Sequence, residues 1–413
     1  MNKGWPVRSL TQGKPASSQF EKVFWLCCIC CFGSMASMRA CDSLLVSLGS
    51  TFNETTQHAA RTISMFSLAY GVMQLLYGPL GDRYGKVKVV AIATLACSIG
   101  NLIAALSTRF PELVFARVAS GVAAAGVIPL TMAWIGDNVP YERRQEVLAI
   151  LLSATVFGMI AGQWGGALLD HAFGWRIVFI VLAATFLVGG TAACFAARSL
   201  VHPTLCAGTS AFQRVRIVLA SPWPRTVLAI TFTEGVFAFG SLAFIPTYLH
   251  VAFGISMPKA GAVVATYGLG GLIYSLCARL ILRRICEETV ACIGGASLAA
   301  GLFTLAASPF WQTAIPACLC AGFGFYALHN TLQAKATQMA TQVRGTAVSL
   351  FSGFLFLGQS AGILATAWLS GIMSFRSVFL ASGVGLFVLS LLLASLSRYH
   401  TSHSKRNTAT PLD

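Results

Sequence analysis

The chain has 413 residues, of which 56% are hydrophobic and only 10% charged, where soluble domains carry about 25% charged residues. A soluble protein this apolar cannot cover its own surface, so composition leaves a polytopic membrane protein. The formal charge of +15 is spread over short segments, with no basic cluster longer than Arg283-Arg284 or Lys405-Arg406, which excludes nucleic acid as a partner.

Residues 1–22 are polar and carry Lys3, Arg8, Lys14 and Lys22. They read as a cytoplasmic segment; cleavage as a signal peptide would leave an odd number of spans. Twelve apolar runs follow, at 23–48, 60–81, 87–107, 112–136, 146–169, 174–197, 225–250, 259–282, 289–307, 312–335, 345–370 and 376–397. Each is about 20 residues or longer, the length a ~30 Å hydrocarbon core requires. The predicted fold is an all-α membrane protein, twelve transmembrane helices in two pseudo-symmetric six-helix bundles at 23–197 and 225–397. A cytoplasmic central loop (198–224) joins them and a cytoplasmic tail (398–413) follows.

With the N-terminus inside, 21 of the 28 Lys and Arg residues fall on the cytoplasmic side. Arg61, Arg109, Arg176, Lys259 and Arg376 fall outside, and Arg39 and Arg117 lie within spans. That asymmetry sets the orientation. The central loop contains Phe212-Gln213-Arg214-Val215-Arg216-Ile217-Val218-Leu219, read either as a short amphipathic helix on the inner surface or as a solvated linker.

Between the second and third runs stands Gly78-Pro79-Leu80-Gly81-Asp82-Arg83-Tyr84-Gly85-Lys86-Val87-Lys88. Its glycines, proline and cations predict a tight cytoplasmic loop. After the eighth run the chain reads Arg279-Leu280-Ile281-Leu282-Arg283-Arg284, basic but without the aspartate. An offset of 200 pairs Arg144, Gly158, Ala161, Gly162, Arg176, Val178 and Phe179 with identical residues at 344, 358, 361, 362, 376, 378 and 379. Seven identities at one offset predict two homologous halves.

Charged side chains inside spans carry the functional reading, because each costs on the order of 2.5–3.5 kcal/mol at a helix centre and needs a partner or a wet cavity. Arg39 and Asp42 are three residues apart on the first span and can pair. Arg117, on the fourth, can sit at similar depth. Asp42 is the candidate protonatable group, with Arg39 or Arg117 competing for its charged form; a static Arg39–Asp42 pair is the alternative. Glu234 is the one acidic residue within a second-half span, a second proton or cation-recognition candidate or a structural bond. His329, Asn330 and Gln163 are candidate cavity-lining residues, although a lone histidine in a helix is more often a packing residue than a proton relay. Gly158, Gly162 and Gly166 share one helix stripe, for close packing or for a moving seam.

The thirteen cysteines imply no disulfide framework, since none falls in a predicted outer loop. Cys27, Cys28, Cys30 and Cys31 would spread around a helix and cannot converge on one metal; they read as packed or lipid-facing thiols. No H-E-x-x-H, Gly-x-Ser-x-Gly or phosphate loop occurs, so neither an enzyme nor a cofactor is expected.

These motifs resemble the major facilitator superfamily, in its twelve-helix drug–proton antiporter and sugar-efflux-like branch. The Gly78–Lys88 loop is similar to the family's G-x-L-x-D-R-x-G-[RK] signature. Arg117-Val-Ala-Ser-Gly121 resembles its R-x-x-x-G element, and Gly158 to Gly166 its glycine-rich antiporter element, with Gln163 where that element has proline. Gly174-Trp175-Arg176 and Leu328 to Gln333 are also similar to that branch. The resemblance implies alternating access around a central cavity lined by Asp42 and Arg117. It also implies that Gly78, Asp82, Arg83, Gly85 and Lys86 form a gating loop whose aspartate meets the N-terminus of the eleventh span. The function expected is proton-coupled efflux of a small molecule by a monomer in the inner (plasma) membrane, with protons and the bilayer as its other partners. Proton-coupled uptake, or a non-transporting receptor or lipid flippase on the same scaffold, are the alternatives.

Overall fold

The computed structural model describes residues 17–198, 200 and 211–409. The predicted N-terminal segment up to residue 16, most of the central loop before residue 211 and the last four residues of the tail lie outside the described residues. Among the described residues the regular structure is helical throughout, as lipid demands of a segment that must satisfy every backbone group internally. They divide into two compact units, one up to residue 208 and one from residue 209.

The first unit runs α1 (Ser17–Ala40), α2 (Leu45–Phe52), α3 (Thr56–Ala59), α4 (Arg61–Tyr84), α5 (Lys86–Leu106), α6 (Phe110–Ala124), α7 (Val127–Asn138), α8 (Tyr141–Ile160), α9 (Gly166–Phe173) and α10 (Trp175–Ala197). The second runs α11 (Ala211–Ala220), α12 (Pro222–Leu242), α13 (Ile245–Phe253), α14 (Met257–Leu282), α15 (Glu287–Ala307), α16 (Ala314–Gln338), α17 (Arg344–Ser370) and α18 (Phe375–Ala409). Eleven described stretches are long and apolar enough to cross a membrane. The twelfth helix, α16, is 25 residues long but more polar, because His329, Asn330 and Thr331 interrupt its apolar run. The segment read as helix or linker is helix α11.

Four predicted spans are not continuous helices. The first breaks at a 3-10 turn, Cys41–Ser43, and the fifth at a π-helical turn, Ala161–Gly165. The fourth breaks between Ala124 and Val127 and the seventh between Leu242 and Ile245. Apolar periodicity marks where a chain is buried and cannot register these local changes of winding. The Gly78–Lys88 stretch also differs from the loop expected: α4 continues through Pro79 to Tyr84, and only Gly85 separates it from α5. Gly85 takes φ +89°, a conformation that costs a residue with a Cβ but not glycine.

The repeat read at offset 200 is physical. A Cβ on Gly158 would lie 2.3 Å from the carbonyl oxygen of Phe32, and one on Gly162 2.4 Å from that of Ala36. In the second unit a Cβ on Gly358 would run into the Phe232 carbonyl, and one on Gly362 into the Val236 carbonyl, just as closely. Both members of each contact are displaced by 200 residues, so the α1–α8 seam recurs as α12–α17. Gly166 continues the first stripe more loosely: a Cβ there would lie 3.5 Å from the Ala40 carbonyl oxygen. Gly121 against Phe66 and Gly322 against Tyr267 repeat a second seam at offset 201. These are backbone-to-backbone contacts that only small residues allow.

Candidate functional site

The break after α1 places Asp42 in the 3-10 turn, where it is fully buried with Arg39. Arg39 Nη1 lies 3.5 Å from Asp42 Oδ2. Gln163 Nε2 donates to the same oxygen at 3.2 Å, reaching it from the π turn of the fifth span. A π turn holds one residue more than an α turn and re-aims the side chain it carries. Asp42 Oδ1 is buried with no hydrogen-bond partner.

Arg117 of α6 is also fully buried, but its donors do not go to Asp42. Nη2 donates to the Ser37 carbonyl at 2.9 Å, Nη1 to Ser37 Oγ at 3.3 Å and Nε to the Thr62 carbonyl at 3.2 Å. Its guanidinium lies 4.2 Å from the centre of the Phe66 ring. Ser37 Oγ in turn lies 3.3 Å from Asn101 Oδ1. Arg117 therefore ties α1, α4 and α6 together, while Arg39 and Gln163 hold the carboxylate. Two guanidiniums and one carboxylate share this buried region.

In the second unit the structure joins two residues that the sequence left separate. His329 Nδ1 of α16 lies 3.1 Å from Glu234 Oε2 of α12, and Glu234 is fully buried. Asn330, next in sequence, takes no part in that contact.

At the α4–α5 turn, Lys86 Nζ lies 3.3 Å from Asp82 Oδ1 and 2.7 Å from Asp137 Oδ2 at the end of α7. Asp82 remains exposed, and the Arg83 guanidinium lies 5.2 Å from the Tyr84 ring. The second unit, read as lacking an aspartate here, carries an ion pair in the corresponding place with its charges reversed. Lys335 near the end of α16 lies 2.8 Å from Glu287 and 3.5 Å from Glu288 at the start of α15.

Ser37, Thr62, Asn101 and Asp137 were not singled out in the sequence. Asn101, an amide inside an apolar run, was the available signal. Cys27, Cys28, Cys30 and Cys31 are all buried, and among the described residues no group of three or more His, Cys, Asp and Glu is placed to hold a metal.

The sequence matches the Major Facilitator Superfamily profile over residues 27–356. Among similar proteins, the chloramphenicol resistance protein of Streptomyces lividans is 26% identical over 344 residues, covering 82% of this chain and 86% of the relative. The MFS-type transporter YwfA of Bacillus subtilis (strain 168) is 26% identical over 238 residues, 55% of this chain and 56% of that protein. A solved bacterial homologue of the human lysosomal transporter Spinster superposes with a TM-score of 0.69 at 15% identity, covering 95% of this chain and 96% of that one. The chain belongs to the Major Facilitator Superfamily. It is a multi-pass membrane transporter with two six-helix bundles, and not an enzyme.

Proposed function

We propose that this transporter exports a small molecule in exchange for protons, by alternating access, from the inner (plasma) membrane with both termini in the cytoplasm. The observation that carries the reading is Asp42: a buried carboxylate with one oxygen held by Arg39 and Gln163 and the other without a donor. A carboxylate so placed binds a proton without rearranging its neighbours, and its charged form leans on a single arginine whose partner it is. Arg117, with Phe66 under its guanidinium, fixes α1 beside the carboxylate and supplies a second positive field. Asp82, Arg83 and Lys86, with Gly78 and Gly85, form the gating loop, and the Gly158–Gly162–Gly166 stripe is a seam along which α1 shifts.

Export is supported by the names of relatives: the chloramphenicol resistance protein already described, and multidrug resistance protein 2 of Bacillus subtilis (strain 168), 25% identical over 156 residues. Proteoliposomes with an imposed pH gradient and a trapped pH indicator test the reading, with chloramphenicol as first probe and a panel of toxic organic solutes after it. Proton movement that appears only with solute is the expected result. Solute flux that carries no protons would remove the coupling, and no flux with any solute would favour a non-transporting role.

A further inference from the structure

We propose that α11 is an interfacial helix that binds the surface of an anionic phospholipid membrane. In the orientation proposed above, that surface is the cytoplasmic one. The neighbours of α11 fix it at membrane level. Ser221, in extended conformation, alone separates it from α12, and Pro222 opens a stretch apolar enough to cross a bilayer. Proline has no N–H with which to continue α11, so the chain turns there. Arg225 Nε donates to the Ser221 carbonyl at 3.3 Å and closes the corner. α11 also packs against α17 and the 3-10 turn Thr341–Val343 that precedes it, with Val218 fully buried. A helix so held cannot lie far from the headgroups.

The exposed side of α11 suits an interface better than water. Phe212, Arg216 and Leu219 recur at i, i+4 and i+7, which is one stripe of a helix. All three are exposed, Phe212 by 79%. In water the two large apolar groups gain nothing. At a bilayer surface they enter the acyl boundary while the guanidinium between them reaches the phosphates.

The charge around the helix selects the sign of the lipid. No aspartate or glutamate occurs between Asp170 and Glu234. Arg214 and Arg216 lie on α11 itself, Arg225 in the first turn of α12 and Arg344 at the start of α17. Of the four acidic residues in the second unit, Glu234 is buried in α12, Glu287 and Glu288 meet Lys335, and Asp413 lies outside the described residues. Arg214 Nε has no hydrogen-bond partner, so no protein acceptor is lost when that arginine turns to a phosphate. The planar fork of arginine suits phosphate oxygens better than a point charge does.

Lipid binding needs no gradient and no solute, so its failure and the failure of proton-coupled export are separate results. Native mass spectrometry of the purified full chain in detergent, offered equal amounts of phosphatidylglycerol and phosphatidylcholine, measures the preference. An arginine near an anionic surface changes partitioning by about fivefold, so Arg214→Gln/Arg216→Gln should lower the phosphatidylglycerol preference by about tenfold or more. Arg283→Gln/Arg284→Gln removes the same charge just beyond α14 and should change the preference far less. A photoreactive benzoylphenylalanine in place of Phe212 gives a readout that keeps every arginine. In vesicles of phosphatidylcholine with phosphatidylglycerol it should crosslink to lipid, and less so in phosphatidylcholine alone. No phosphatidylglycerol preference in the unmutated chain, equal loss in the two double variants, or a residue 212 that captures no lipid would each overturn the proposal.

Discussion

Gln163 donates its side-chain amide to Asp42 at 3.2 Å across 121 residues of chain, from a turn wound as π-helix. The residue that departs from the antiporter-like glycine element is thus the one that holds the buried carboxylate. A proline there would have no amide to give. The departure and the contact are the same fact, and they tie the fifth span to the break in the first.

Replacing Gln163 by Leu leaves Asp42 with Arg39 alone. Loss of a hydrogen bond to a buried charged group costs about 1.5–3 kcal/mol, so the purified variant should unfold at lower temperature. Gradient-driven transport should fall with it, while Gln163→Glu sets a second acid against Asp42 and should be worse. Thermal melts of both variants in one detergent check the order.

Arg117→Lys keeps the charge but not the fork of donors. Three hydrogen bonds to Ser37 and Thr62 and the contact with Phe66 depend on a planar guanidinium, and an ammonium cannot reproduce that geometry. The expected loss is on the order of 3 kcal/mol of stability, read as poor yield of monodisperse protein. Arg83→Lys, at an exposed guanidinium, should leave yield unchanged.

The glycine seams predict a matched pair. Gly162→Ala and Gly362→Ala each push a methyl group against a backbone carbonyl and should each destabilise by about 1–3 kcal/mol. Gly165→Ala has open space around it and should cost nothing measurable. Melting temperatures of the three variants decide, and equal loss in all three would mean that the seams do not set the packing.

Asp82→Asn removes one partner of Lys86 at an exposed position, where such pairs contribute about 0–1 kcal/mol. Stability should therefore hold. If the loop gates, transport slows about tenfold, equivalent to about 1.4 kcal/mol on the rate-limiting step, with substrate affinity within twofold. Normal transport would leave the loop a topology signal only.

Much of the scaffold was legible because lipid enforces simple rules. Spans follow from apolar length, and halves from identities at offset 200, whose glycines proved to touch equivalent carbonyls. Arg39 and Asp42 were legible as a pair because three residues on a helix share a face. Glu234 and His329 were each visible as polar residues in apolar runs. Their pairing was not, since 95 residues separate them and no local period encodes it. The turn at Cys41–Ser43 and the π turn that aims Gln163 left no trace in hydropathy. The Lys335–Glu287 clasp was not legible for another reason: its charges are reversed, so no second aspartate marks it.

The central claim, that Asp42 carries the proton, is tested most directly by solute transport against pH in proteoliposomes bearing Asp42→Asn. The account predicts that the variant still exchanges solute down its own gradient but gains nothing from an imposed pH gradient. Proton-driven transport with an unchanged pH profile would contradict it.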